Sequence, residues 1–127
     1  MNSSEIIKKT LKYYKKSPVQ VFKKTRKRDV VEIRQHLHAI LLLCGRLGII
    51  EKLSLNDIAK LTGRKYGKFI IPADHALILY SYSVVRNLYQ TDKKYNRNLK
   101  ILLVNLGIKK ELEPYLLNQK ILEKCMN

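Results

Sequence analysis

The sequence predicts an all-α protein, a single bundle of about six to seven helices containing a helix-turn-helix with a lengthened turn. Three observations predict it. Apolar residues recur at three- to four-residue spacing in successive segments, with no strand-like alternation, internal repeat or low-complexity tract. Ser, Asp and Pro open these segments, and Gly closes several of them. At 127 residues and 46% hydrophobic content, the chain is long enough to bury one core without disulfides or metal.

Taken in order, residues 4–16 read as a first helix with Ile6, Ile7, Leu11 and Tyr14 on one side and lysines elsewhere. That lysine face is a solvated cover of the core, a docking helix or a lipid-facing surface. Ser17-Pro18 pairs a cap with a favoured first helical residue, and Val19, Val21 and Phe22 make a short second helix. Five cations in six residues follow, from Lys23 to Arg28. Held between two well-signalled helices, they are placed for phosphate or minor-groove contact. Asp29, with Glu32 three residues on, predicts the cap of a third helix. Ile33, Leu37, Ile40, Leu41 and Cys44 form its stripe, and Ala39, Leu42 and Leu43 make its second half apolar nearly all round, so it is central and buried. Arg34, Gln35 and His38 keep its first half polar, near the basic loop. Gly45 and Gly48 are expected to break it, leaving Gly45 to Lys52 as a connector.

Ser54, with Asp57 at the capping-box position, opens a short helix with Leu55, Ile58, Ala59 and Leu61 as its apolar side, and Gly63 is expected to end it in a left-handed conformation. Pro72 and Asp74 announce a longer helix to about Tyr89. Ile78, Ser81, Tyr82, Val85, Leu88 and Tyr89 make its core stripe; Ala76, Tyr80, Ser83 and Asn87 point outward, with Leu77 and Val84 on the flank. This is the outline of a helix-turn-helix, whose outward residues would meet base edges, although a plain surface helix has the same pattern. Asp92 caps a helix over 93–106 that Gly107 closes. A final helix, 110–125, presents Leu112, Leu116, Leu117, Ile121 and Leu122, with Pro114 tolerable only in its first turn. Residues 1–107 thus form the domain and 108–127 an additional helix packed on it, as a lid on the core or a dimer contact.

The net charge of +16 is the outlying quantity. Self-repulsion on that scale destabilises a compact monomer, which points to a polyanionic partner. The charge is segregated: residues 1–28 carry ten Lys/Arg against one Glu, 29–106 twelve against six, and 107–127 four against three. The contact surface therefore belongs to the first part and the middle. Cys44 and Cys125 lack metal spacing and read as buried or idle thiols of a reducing cytoplasm. No signal peptide is visible, and the longest apolar run, Ala39 to Cys44, is too short to span a membrane. No cofactor is expected. The spacing between Gly63 and Lys68 fails the phosphate-loop pattern, His36 and His38 diverge on a helix and cannot share a metal, and His75 beside Asp74 has no matching nucleophile. A binding module is expected, not an enzyme, with no small-molecule substrate.

The segments around Ile6–Phe22, the basic run Lys23–Arg28, the Arg34-Gln35 pair, Leu53-Ser54-Leu55 with Ile58, and Asp74-His75 follow one another in a recognisable order. From about Ile6 to Leu103 the chain resembles the C-terminal DNA-binding domain of the bacterial replication initiator DnaA, a Trp-repressor-like helix-turn-helix. The resemblance implies that Arg26 enters the minor groove, that Arg34 and Gln35 touch DNA, and that Ser54 and His75, opening the two motif helices, do so too. The chain departs from the family at Ala73 and Ala76, where the arginine and hydroxyl that help read the initiator's box are missing. It also has a longer turn between Gly63 and Asp74, an insertion between Gly45 and Lys52, and no nucleotide-binding motor. The resemblance therefore carries duplex binding through this fold and not the initiator's own sequence preference.

The resulting expectation is a cytoplasmic, nucleoid-associated, double-stranded-DNA-binding protein acting in replication or transcription control. Arg26, Lys27 and Arg28 would lie along the minor groove. Arg34, Gln35, Ser54, Lys60, Arg64, Lys65 and Lys68 would fix phosphates, and His75, Ala76, Leu77 and Tyr80 would face bases. The alternative is a protein–protein adaptor presenting Leu77, Tyr80 and Val84. A homodimer through the C-terminal helix or the Tyr80 face is also open.

Overall fold

In a computed structural model that describes residues 1–66 and 69–117 (backbone alone for 65, 66 and 69–71), the chain is the all-α bundle its sequence predicts. Seven helices are seen among the described residues: α1 Ser3–Tyr14, α2 Pro18–Val21, α3 Arg28–Leu47, α4 Leu55–Leu61, α5 His75–Thr91, α6 Lys93–Leu106 and α7 Lys109–Leu117. Between α4 and α5 lies one addition that the sequence pattern did not announce, a small antiparallel hairpin of β1 Arg64–Tyr66 and β2 Phe69–Ile71. Three-residue strands are too short for a period of two to be legible. Among the described residues no helix is long and apolar enough to cross a membrane.

The helix starts follow local chemistry. Ser17 and Gln20 form one capping box, and Ser54 and Asp57 another. Asp74 accepts from the Ala76 amide and Asp92 from that of Tyr95. Each removes one orphan amide donor from the first turn. The expected cap at Asp29 does not form. The helix starts two residues earlier, with Lys27 at the cap position and no side-chain cap bond. Asp29 instead faces Lys16, 3.3 Å away.

The ends differ more. α3 runs straight through Gly45 and stops only at Gly48, which is left-handed at φ 74°. Gly107 closes α6 in the same conformation. Gly63 does not act as a left-handed stop: α4 ends on Thr62, and the chain passes directly into β1. Pro114 sits inside α7, beyond its first turn. The bond it forfeits is to the carbonyl of Lys110, an exposed residue whose oxygen water can satisfy. The expected extension of that helix to residue 125, and Cys125 with it, lie outside the described residues.

The main core gathers around the second half of α3, where Ala39 through Cys44 are all buried, and takes in Ile58, Ile78, Val85, Leu99, Leu102, Leu103, Leu112 and Leu116 from the other helices. Burial raises the free Cys44 thiol to about 12, so it is packed as an apolar group. A second, smaller cluster of Leu11, Val21, Phe22, Ile33 and Leu37 joins α1 and α2 to the first half of α3. This smaller cluster matters for the surface, because Val21 and Phe22 immediately precede the basic run. The cations that follow therefore leave a fixed point and return to α3 at Arg28.

Candidate nucleic-acid interface

Arg34 is the best-anchored of the basic residues singled out from the sequence. Its Nη2 donates to the carbonyl oxygen of Thr25, so the guanidinium pins the middle of the 22–27 loop to α3. The side chain is half-buried, and its Nε is buried with no hydrogen-bond partner among the described residues. Burial first, and the nearby Arg64 guanidinium second, push the pKa of Arg34 down. Arg34 thus lies within electrostatic reach of Arg64, the first residue of β1. Arg26, Lys27 and Arg28 are exposed beside them. Among the described residues, none of Arg26, Lys27, Arg28, Arg34, Lys60 and Arg64 has a carboxylate within ion-pair distance. Unneutralised like charges repel at close range, and a half-buried donor without a partner is costly. An incoming anion at the exposed edge of the guanidinium relieves the first.

A second group lies at the other end of α4. Ser54 and His75 line one concavity together with Arg46, Lys52 and Asp57. The Ser54 hydroxyl accepts from the Asp57 amide at 3.1 Å, which leaves its own O–H free to donate. Arg46 and Lys52 were missed in the sequence, where the 45–52 stretch reads as a mere connector. Their only sequence signal is that Arg46 is a lone cation at the end of an otherwise apolar helical segment. The two groups are separated by the length of α4, about 10 Å for seven residues. Lys60, exposed on that helix, lies between them in the chain.

The relative placement of α4 and α5 is set by a buried histidine. His38 Nε2 lies 3.1 Å from Thr62 Oγ1, and its Nδ1 lies 2.9 Å from Ser81 Oγ. Thr62 already donates its hydroxyl proton to the Ile58 carbonyl. It can therefore only accept from His38, so the ring carries its proton on Nε2 and Nδ1 accepts from Ser81. Burial, and then the Arg34 charge, lower the His38 pKa to about 4, so it is neutral. One imidazole thus ties α3 to the end of α4 and to the middle of α5. The Ala73 amide donates to the Ala59 carbonyl at 3.0 Å and brings the start of α5 against α4.

His36 does the corresponding work on the other side of α3. Its Nδ1 lies 2.6 Å from the Tyr14 hydroxyl of α1, and its Nε2 lies 2.8 Å from the Tyr95 hydroxyl of α6. Burial lowers its pKa to about 4 and, with the Glu32 charge, raises those of Tyr14 and Tyr95. Both histidines were read from the sequence as diverging on a helix, and they do diverge, but each ends in a buried neutral bridge.

The remaining residues singled out from the sequence are placed as follows. Gln35 is half-buried beside Arg34 in the chain. His75, Ala76, Leu77 and Tyr80 are exposed along one side of the first half of α5, with Leu77 45% and Tyr80 59% accessible. Ser83 and Asn87 continue that side, while Val84 is half-buried. Lys68 and the side chain of Lys65 lie outside the described residues. Among the described residues no group of three His, Cys, Asp or Glu side chains is placed to hold a metal ion. No family model matches the chain, and no curated protein or solved structure matches it either.

Proposed function

We propose that the protein binds double-stranded DNA, with α4 and α5 serving as the two helices of a helix-turn-helix like that of the replication-initiator domain the sequence resembles. The observation that carries this reading is the state of Arg34: half-buried, fixed on the Thr25 carbonyl, pressed by Arg64 and lacking a carboxylate counterion among the described residues. A phosphate supplies the missing counter-charge. The 25–28 run follows the backbone or enters a narrow minor groove, where arginine is favoured. Arg34, Gln35, Lys60 and Arg64 hold phosphates at one end of α4, and Ser54, with Arg46 and Lys52, does so at the other; Lys65 and Lys68, singled out from the sequence for the same role, lie outside the described side chains. His75, Ala76, Leu77 and Tyr80 then face base edges, where apolar groups meet thymine methyls.

The test is binding of a labelled duplex, a single strand and an RNA hairpin at two salt concentrations. Duplex DNA is preferred, and with roughly six phosphate contacts its affinity falls by about a thousandfold between 50 and 200 mM salt. Salt-independent duplex binding, or equal binding of all three, overturns the reading. The exposure of Leu77 and Tyr80 favours one alternative, an adaptor that offers this face of α5 to a protein.

A further inference from the structure

The outer face of α6 is not accounted for by duplex binding. Lys94, Arg97, Asn98, Ile101, Val104 and Asn105 are all exposed and recur at three- and four-residue spacing along one side of the helix. Ile101 is 50% accessible and Val104 62%, while Leu99, Leu102, Leu103 and Leu106 of the same helix are buried. α1 runs alongside in the opposite direction: Lys9, Lys12 and Tyr13 share a groove of about 410 Å³ with Asn105 and Leu106, and Tyr13 through Lys16 share a second one with Asn98. Tyr13 therefore lies level with Ile101. The face thus carries two exposed aliphatic side chains, Ile101 and Val104, with Lys9 and Lys12 across the first groove and Lys94 and Arg97 toward the start of α6; the second groove also holds Asp29 and Glu32, at the far end from Val104. Among the described residues none of these four cations has a carboxylate within ion-pair distance.

This face lies away from the α4–α5 pair. Residues two apart on a helix point about 200° apart, and on α3 His36 reaches α1 and α6 while His38 reaches α4 and α5.

We propose that the α1–α6 face docks an acidic amphipathic helix of a partner protein, on the side of α3 opposite the proposed duplex surface. Charge complementarity selects this occupant. A second copy of the chain would bring cations against cations, at a net charge of +16 per copy. A lipid surface needs a long apolar helix face to bury, and the long apolar face of α6 is already turned into the core. Phosphates alone have no use for the Ile101–Val104 centre. An acidic helix with aliphatic residues at i, i+4 and i+7 fills that centre with its apolar side and meets the lysines with its flanks.

The test uses a labelled 18-residue helical peptide with leucines at those spacings and glutamates on both flanks, titrated into the full chain at 150 mM salt. The peptide binds and shifts the NMR signals of α1 and α6. The Ile101→Ser/Val104→Ser variant, which keeps the charge and alters only exposed side chains, weakens peptide binding at least tenfold with an unchanged thermal midpoint. Lys9→Ala/Lys12→Ala weakens it several-fold and flattens its salt dependence. The proposal is overturned if the peptide fails to bind, if a serine-for-leucine peptide binds equally well, or if the signals that shift belong to α4 and α5. Tighter, Ile101-dependent binding to phosphatidylglycerol vesicles, or an Ile101-dependent dimer, overturns it as well. None of these readings requires duplex binding, so failure of one proposal leaves the other standing.

Discussion

Arg34 Nη2 donates to the carbonyl oxygen of Thr25, nine residues earlier in the chain. This contact holds the run of cations in place, because it ties the middle of the loop between the buried Phe22 and the start of α3 to the second turn of that helix. Replacing Arg34 with Ala removes a proposed phosphate ligand and frees the loop. Duplex affinity then falls for every sequence, and the slope of log affinity against log salt drops by about one unit. Arg34→Lys retains the charge but not the fork, so it keeps most of the salt slope and loses affinity. An unchanged slope in Arg34→Ala would take this residue out of the interface.

Tyr80 separates the two readings of α5. It is exposed and uncharged, so Tyr80→Ala lowers affinity for a preferred duplex by about fivefold, roughly 1 kcal/mol, and leaves the salt slope as it was. If instead a protein complex is lost while duplex affinity stays the same, the outward face of α5 belongs to an adaptor. Parallel duplex titration and pull-down of the same variant decide between them.

Stability should depend on pH through His36 and His38. Each is held at about 4 in the fold against an ordinary 6.5, with Tyr14, Tyr95 and Glu32 facing the first and Arg34 near the second. Between those values the unfolded chain binds more protons than the folded one. The stability from neutral, buried rings is therefore complete above about pH 6.5 and lost as the pH falls toward 4. By pH 5 the loss is about 2 kcal/mol per histidine. The urea midpoint measured at pH 7.5, 6 and 5 should fall, and His38→Gln should remove about half of that dependence. A midpoint that does not move with pH would mean the rings are charged in the native state.

Two glycines three residues apart should respond in opposite directions. Gly45 is helical, and an added Cβ would meet Leu53 Cβ at 3.4 Å, an ordinary contact. Gly45→Ala therefore stabilises by up to about 1 kcal/mol through helix propensity. Gly48 is left-handed at φ 74° with open space around it. Gly48→Ala costs about 1 kcal/mol from backbone strain alone. Thermal midpoints of the two variants test both signs.

The sequence by itself determined the features that depend on neighbours within one helical turn. The caps at Ser17, Ser54, Asp74 and Asp92 and the stripe from Ile78 to Tyr89 were legible because their partners lie two to four residues away. The exposed positions from His75 to Tyr80 follow from that same period. The left-handed ends were only half legible: Gly48 and Gly107 stop helices, but Gly45 and Gly63 do not, since tertiary packing and the hairpin decide where the chain turns. Tertiary structure alone decided that Asp29 serves Lys16 and not its own helix, and that Arg34 rests on Thr25 beside Arg64. It also decided that two polar histidines become neutral bridges to four other helices' ends and faces, through Tyr14, Tyr95, Thr62 and Ser81. The physical reason is range. A cap or a stripe is fixed by the local backbone, whereas a buried imidazole acquires its protonation state and its role only from groups that folding brings to it from 22 to 59 residues away.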